Sequence, residues 1–511
     1  MYCKKINILA SAPNSDPDGP RVFLLLQGPH GPFFDRLGRQ LRAAGATVWR
    51  AGFNAGDEWF WSDTAHYIRH SGSVADWPRH LTRIIAEKRV TDIVLYGDVR
   101  PAHAAARNLA RMLGITVHVL EEGYMRPYWI SYERGGANGH SPLMQIGVPQ
   151  MQAALRDAED ETLRAPAHWG DIRQHKFYGA LYHFLVLIAN RDYPGYRSHR
   201  AISVAQEFQL QLRRFLLTPL HAAQRWLEQQ KIRRGGFPFV LVLMQLEHDS
   251  SFQAHSPFER MREFTDFCLT EFATHAPKHH HIVFKAHPLE DGRAGNRRNI
   301  YAKAAKLGIT DRVHYVRGGK LAVLLSKARA AITVNSTAAQ QALWRGLPVK
   351  AIGRAVFDKP QLVSDQPMDQ FLKNPSAPDP RAYRAYRAYL LHTNQVPGGF
   401  YASRSRAHAL RHVVDMMLAV KDPYQALADG CAAYRQQLAG HLDEGPKCWF
   451  WGKGSLISLK YPQKRGINYI TGVFRGDSPE NWPPHRVAPG RYGGRLHAGR
   501  MWPAAIWPHQ E

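Results

Sequence analysis

Cysteine is scarce in this chain: four residues in 511, at positions 3, 268, 431 and 448. None forms a C-x-x-C pair or a zinc-ligand spacing. A disulfide-stapled scaffold and a zinc module are therefore excluded, and a reduced, cytoplasmic setting is expected. Acidic residues are also few, 42 Asp and Glu against 67 Lys and Arg, which leaves a net charge of +25. Such an excess favours anionic partners: nucleic acid, anionic lipid head groups, or phosphorylated and carboxylated substrates. Long apolar runs are missing. The longest, near 237–246 and 184–189, fall short of the roughly 18 residues a spanning helix needs. The start, Met1-Tyr2-Cys3-Lys4-Lys5, leads into too few apolar residues for a signal-peptide core. There is no internal repeat and no D-x-D run suited to holding a metal ion.

Against those absences, 44% of the residues are hydrophobic and 13 are Trp, the composition of a folded globular protein. A chain of 511 residues exceeds what one hydrophobic core serves, so two or three domains are expected. Apolar runs at 22–26, 46–51, 93–96 and 116–120 read as buried strands, with helices at 34–44 and 102–113 between them. Strand–helix alternation implies parallel βαβ units, a Rossmann-like domain over 1–160. Residues 161–235 read as a helical insert rich in Arg, Gln and His. Its apolar, aromatic stretch 177–188 has two readings, a core helix between domains or a helix lying in a membrane interface. Strand signals resume at 238–244, 281–285, 313–316, 330–334 and 348–352, a second Rossmann-like domain over 236–420. The whole is an α/β chain with two Rossmann-like domains facing a cleft, the GT-B arrangement of nucleotide-sugar transferases. Residues 421–511, rich in Gly, Pro, Trp and Arg, read as a poorly ordered basic tail.

The candidate chemistry gathers at strand ends, where open α/β sheets bind ligands. Ile282–Ala286 is an apolar run broken by Lys285 and followed by His287 and Pro288. The proline stops the strand and sets two potential phosphate donors at a cleft mouth. Strand 116–120 leads into Glu121-Glu122-Gly123-Tyr124-Met125-Arg126-Pro127. Adjacent carboxylates there can act as general base or as nucleophile at an anomeric carbon. Gly123 lets the chain turn tightly, and Arg126 can hold an anion with two parallel hydrogen bonds. After strand 330–334 come Asn335, Ser336 and Thr337. Ser336 or Thr337 is expected to cap a helix and, with the exposed amides, to bind an anion. Gln27 and Gly28, Asp98, and Glu247 with Asp249 lie on further strand-end loops. Each of these segments is also what an ordinary solvated turn or helix cap would contain. The tract His279-His280-His281 has no cysteine or acidic partner and points in alternate directions along an extended chain, which disfavours a metal site. Arg312 and Arg317 read as solvated surface charges.

Taken together, Leu25–Phe34, Phe53–Asp57, Tyr96–Asp98, Glu121–Tyr124, His287–Pro288 and Val334–Thr337 resemble, in order and spacing over residues 20–420, the capsule polysaccharide biosynthesis and export family of the KpsS/LipB type. The resemblance implies a bacterial retaining β-Kdo transferase. It would take Kdo from CMP-Kdo to a phosphatidylglycerol-type lipid and so start the poly-Kdo linker of a capsule. It implies a catalytic role for Glu122, with Glu121 and His287 beside it. Donor binding falls on Lys285, His287, Pro288, Asn335, Ser336 and Thr337. Gln27, Gly28, Asp98, Arg126, Glu247 and Asp249 are the other cleft candidates, and whether Glu122 is nucleophile or base stays open. No cofactor or metal is expected beyond the CMP-Kdo donor. The expected partners are the lipid acceptor, the anionic inner-membrane surface, a second Kdo transferase and the capsule ABC exporter. Nucleic acid is not among them, because the basic residues form no reading motif. The expected location is cytoplasmic and peripheral on the inner membrane. A non-catalytic capsule-export scaffold is the competing reading.

Overall fold

The strand sequences explain the sheets. Phe23, Leu24 and Leu25 are fully buried, as are Ile93–Leu95 and Ile282–Phe284. Parallel strands covered on both faces need such continuous apolar runs rather than alternation. The computed structural model describes residues 19–156, 172–197, 206, 209–210, 216–290 and 292–430. The expected tail is corrected at its start: Pro423–Ala428 is a helix whose Tyr424 and Leu427 join a hydrophobic core. The rest, from 431 onward, lies outside the described residues, and so do Cys3, Cys431 and Cys448; Cys268 is buried.

The first half contains β1 (Val22–Leu25), α1 (Phe33–Ala43), β2 (Thr47–Gly52), α2 (Ala55–Trp59), β3 (Tyr67–Arg69), α3 (Trp77–Lys88), β4 (Asp92–Tyr96), α4 (Pro101–Leu113), β5 (Thr116–Glu122), β6 (Trp129–Arg134) and α5 (Val148–Ala154). Helix α6 (Ile172–Ile188) follows. The second half contains β7 (Phe239–Leu243), β8 (His281–Ala286), β9 (Val313–Arg317), β10 (Ala330–Thr333) and β11 (Val349–Ala351), and the short strand β12 (Gln395–Pro397) comes last.

Two sheets result, one ordered β12-β6-β5-β4-β1-β2-β3 and the other β11-β10-β7-β8-β9. The second is parallel throughout. In the first, β3-β2-β1-β4-β5 are parallel, while β6 and β12 run antiparallel. Each parallel set therefore reverses its winding at one place, between β1 and β4 and between β7 and β10. Those switch points open the crevices in which doubly wound sheets hold ligands. The architecture is the expected GT-B-like pair of Rossmann-like sheets.

Strands β3, β6 and β12 were not foreseen from the sequence. The last corrects the expected course of the chain: residues 395–418, assigned to the second half, return to the first. Val396 of β12 and Leu410, Val413 and Met417 of the helix Ser403–Leu418 share a core with Phe23, Leu25, Phe33 and Ile130. Arg134 fastens this return by donating to the carbonyls of Met416 at 2.9 Å and Val420 at 3.0 Å. In the opposite direction, Leu143, Val148 and Met151 pack into the second half's core with Leu241, Leu343 and Tyr386. Lys359 Nζ donates to the Leu143 carbonyl at 2.6 Å. Of the expected insert, α6 and the helix Thr218–Gly235 are described. Among the described residues no helix is long and apolar enough to cross a membrane.

Candidate active site

The carboxyl ends of the two sheets face one another. His140, from the first half, meets His255 of the helix Ser250–His255 edge-on, ring centres 4.6 Å apart. Arg354 Nη2 reaches back to the Gly139 carbonyl at 2.9 Å. The expected strand-end residues take different places around it.

Glu121 and Glu122 end β5, and alternation along a strand sends them to opposite faces. Glu121 turns toward the second half. Its Oε2 accepts from Asn138 Nδ2 at 3.3 Å, and it lies within electrostatic reach of Asp98, Asp249, Arg100 and Arg126. Gly97 faces it with a φ of +67°, and a Cβ there would stand 3.2 Å from Glu121 Oε2. Glycine therefore serves both the left-handed turn and the room for the carboxylate. Burial pushes Glu121 up to about 8, with the charges of Asp98 and Asp249 adding to it and Arg100 and Arg126 opposing. Glu122 faces the returning chain instead: it accepts from Tyr96 Oη at 3.3 Å and lies near Tyr401 and His175. Gly123 is required by space rather than by an unusual turn, since a Cβ there would sit 2.3 Å from the Trp129 carbonyl oxygen. Arg126 is exposed and donates its Nε to the Gly123 carbonyl at 3.2 Å.

Asp98 is wholly buried. Burial opposes its ionisation, but His140 at 3.0 Å and Arg107 at 2.7 Å outweigh that and hold it below the ordinary carboxylate range. Two neighbouring carboxyls are thus driven apart, Asp98 ionised and Glu121 near neutrality, the pattern that separates acid from base roles. Gln27 ends the first switch point. Its amide donates to Tyr182 Oη at 2.8 Å and Asp57 at 3.3 Å, and its oxygen accepts from Arg100 at 3.0 Å. Gly28 beside it is packed under Phe34 and Arg50.

Across the junction, Lys285 is buried, and burial with repulsion from Arg225 of the helix Thr218–Gly235 brings it down to about 8. His287 Nδ1 accepts from the Leu289 amide at 3.1 Å, so the neutral ring carries its proton on Nε2. Pro288 is exposed. Asn335 is structural: it accepts from Gln245 Nε2 at 2.8 Å and donates to the Ser251 carbonyl at 3.0 Å, bridging the ends of β7 and β10. The capping role expected for Ser336 and Thr337 is corrected. The helix there is only Ala339–Leu343, its N-cap is Ala338, and no side chain caps it. Ser336 instead closes a turn, accepting from Ala338 N at 3.3 Å while its own amide donates to Thr333 Oγ1 at 3.2 Å. Asp249 caps the helix Ser250–His255 through Ser251 N and Phe252 N, and Glu247 offers its carbonyl to Gln253.

Sequence reading missed several participants. Arg100 bridges the Gln27 and Glu121 neighbourhoods. Asn138 and His140 belong to a segment that carried no strand or helix signal. Arg225 lay in the insert. Arg312 is no solvated charge: it spans the Pro277 carbonyl at 3.3 Å and lies over the Phe272 ring at 5.1 Å. Arg317 is half-buried, with its Nε enclosed. In the histidine tract, His281 stacks on Phe237 with ring centres 3.7 Å apart. Among the described residues no group of three His, Cys, Asp or Glu could hold a metal ion.

Comparison with known proteins agrees with the family resemblance. The family model described as capsule polysaccharide biosynthesis protein matches residues 91–401. The capsule polysaccharide modification protein LipB of Neisseria meningitidis is 32% identical over 405 residues, 78% of this chain and 93% of LipB. The capsule polysaccharide export protein KpsS of Escherichia coli is 28% identical over 389 residues, 75% of this chain and 97% of KpsS. Among solved structures, a β-Kdo 2,7 transferase, KpsC of Thermosulfurimonas dismutans, is 13% identical, covers 71% of this chain and 89% of its own, and superposes with a TM-score of 0.35. On the family match and the extent of the LipB similarity, this chain belongs to the capsule polysaccharide biosynthesis protein family.

Proposed function

We propose that this protein is a glycosyltransferase that moves Kdo from CMP-Kdo to a phosphatidylglycerol-type lipid at the cytoplasmic face of the inner membrane. The product begins the poly-Kdo linker of a capsular polysaccharide. The observation that carries the reading is Glu121, a carboxyl held at about 8 on one side of the junction, with Lys285 and His287 at the strand end opposite. In this proposal the donor phosphate lies toward Lys285 and His287. Ionised Glu121 attacks the anomeric carbon as the bond to CMP breaks, and CMP departs with the electron pair. The acceptor hydroxyl then displaces Glu121 as it gives up its proton to solvent, and two inversions give retention. Lys285, His287 and Arg225 stabilise the charge that develops on the leaving phosphate. The role first expected of Glu122 passes to Glu121, because Glu121 is the carboxylate turned toward Asp249 of the second half.

The partners follow from the reaction: the lipid acceptor and its anionic membrane, a second Kdo transferase that extends the linker, and the ABC exporter that carries the finished polymer. The name of the Escherichia coli relative, an export protein, favours one other reading, a scaffold for export without catalysis. A transfer assay separates the two. Purified protein, CMP-Kdo and a fluorescent phosphatidylglycerol analogue are incubated, and products are read by mass spectrometry. A gain of one Kdo that is lost in Glu121→Gln supports the transferase. Absence of both product and CMP binding supports the scaffold.

A further inference from the structure

Helix α6 is apolar on both of its sides. From Phe177 to Ile188 it contains one residue with a titratable nitrogen, His183. Its inner side is seated firmly on the first half. Tyr182 bonds Gln27 and Asn54 at 2.8 Å each and donates to Asp57 at 3.1 Å, its ring stacks on His30, and Leu185 and Val186 are buried beside it. A Cβ on Gly56 of α2 would clash with the Tyr182 ring at 2.6 Å, so the two helices lie in close contact. The outer side is equally apolar and is exposed among the described residues. Phe177 is 63% exposed, Phe184 54%, Leu187 56% and Ile188 57%. Their spacing, with Ala180 between, is that of one helical stripe. A helix that is hydrophobic all round belongs in a protein core or in lipid, and here the described residues occupy one side.

The charges around the stripe indicate what covers the other side. Arg173 and Lys176 are exposed at its amino end, and Arg191 is exposed just beyond its carboxyl end. A second copy laid on the same stripe about a two-fold axis would oppose these cations. An anionic bilayer would pair with them while taking the apolar side chains into its acyl boundary. The stripe is also continuous with a groove on the Glu122 side of the β5 end. Phe177 and Arg173 form one wall of a groove of about 220 Å³, closed by Gln174, Tyr178, Tyr401 and Ser403. Tyr401 stacks on His175 with ring centres 4.2 Å apart, and both lie within electrostatic reach of Glu122, which adjoins Glu121.

We propose that the outward face of α6 docks the protein on an anionic bilayer and brings the groove at its amino end to head-group level, so that a lipid acceptor reaches the end of β5 without leaving the membrane. The docking surface stands on the exposed stripe and its cations; only the delivery of an acceptor rests on the transferase reading.

The test uses the full chain and vesicles of phosphatidylcholine alone or with 30% phosphatidylglycerol, read by flotation and by hydrogen–deuterium exchange. Binding to the anionic vesicles is expected, with new protection over 173–188. The double variant Phe184→Asp/Leu187→Asp, placed on the bare face, is expected to keep its melting temperature and to lose at least tenfold in binding. It is also expected to transfer Kdo normally to a short-chain acceptor dissolved below its micellar concentration. Protection that arises elsewhere while 173–188 stays unprotected would overturn the proposal, as would undiminished binding by the variant. So would a dimer that the variant converts to monomer with no change in vesicle binding. Loss of transfer in Glu121→Gln with docking intact bears on the reaction alone. If no transfer occurs in any form, the vesicle result still decides the docking surface.

Discussion

Replacing Asp249 by Asn should make the enzyme faster at neutral pH, although it removes a carboxylate from the active site. Glu121 stands at about 8 against an ordinary 4.5, which is about 5 kcal/mol between its two protonation states. Burial is the largest cause, Asp98 the second and Asp249 the third. Removing the third contribution should lower Glu121 by on the order of one pH unit, about 1.4 kcal/mol. A nucleophile must be ionised. At pH 7 roughly a tenth of a group with pKa 8 is ionised, against roughly half of one with pKa 7, so the expected gain in kcat is about fivefold. Asn suits the position because it caps helices as well as Asp does, and the Ser251 and Phe252 amides keep their acceptor. The assay is kcat against pH from 5.5 to 9.5 at saturating donor. In the wild type, kcat should rise with pH toward a maximum near 8, where Glu121 is half ionised and Lys285 begins to lose its proton, and in Asp249→Asn the rising limb should lie on the order of one unit lower. An unmoved limb refutes the assignment of the titration to Glu121. A large loss of activity at every pH refutes the purely electrostatic role of Asp249.

The two carboxylates of β5 should separate by mutation: Glu121→Gln should lose on the order of a thousandfold in kcat or more, whereas Glu122→Gln should stay within about tenfold of wild type, in the mass-spectrometric transfer assay. Lys285→Met should raise the donor KM at least about tenfold. Because Lys285 stands at about 8, its ammonium is lost as pH rises through that value, and calorimetry should find CMP affinity falling above pH 8 in the wild type but flat in the variant. Gly123→Ala places a methyl against the Trp129 carbonyl and should destabilise the fold by about 2 kcal/mol or more, measured as a fall in chemical-denaturation midpoint. Asn335→Ala unties Gln245 from the β10 end and should cost about 1–3 kcal/mol in the same measurement, since both partners are buried.

The parallel strands were legible because burial on both faces demands uninterrupted apolar residues, and Ile93–Tyr96 or Ile282–Phe284 could serve little else. Strand β6 was not, because Ser131, Glu133 and Arg134 break its apolar pattern. Partners are supplied from far along the chain: Glu133 accepts from Tyr424 at 2.8 Å as well as from nearby Tyr124 at 2.5 Å, and Arg134 holds the carbonyls at 416 and 420. Strands β3 and β12 are three residues each, too short to show a period. The motif Glu121-Glu122-Gly123 ends β5 as expected, but which carboxylate turns toward the second half depends on the face each takes beside β4. Ser336 and Thr337 look like a cap in sequence; the turn uses Ser336 and Thr333 to satisfy its own amides before the helix begins.

The return of the chain to the first sheet also affects how the protein is made. Ser131 of β6 and Gln395 of β12 share a hydrogen bond across 264 residues. At 5–20 residues per second a ribosome needs roughly 13 to 50 s to traverse that stretch. For that time the nascent first half presents β6 as an open edge, with its amides and carbonyls on one side unpaired. Open edges recruit other strands, so the newborn protein is most prone to aggregation well after its amino-terminal half has left the ribosome. A chaperone that shields this edge during synthesis would improve the yield of protein more than one that acts on the finished chain.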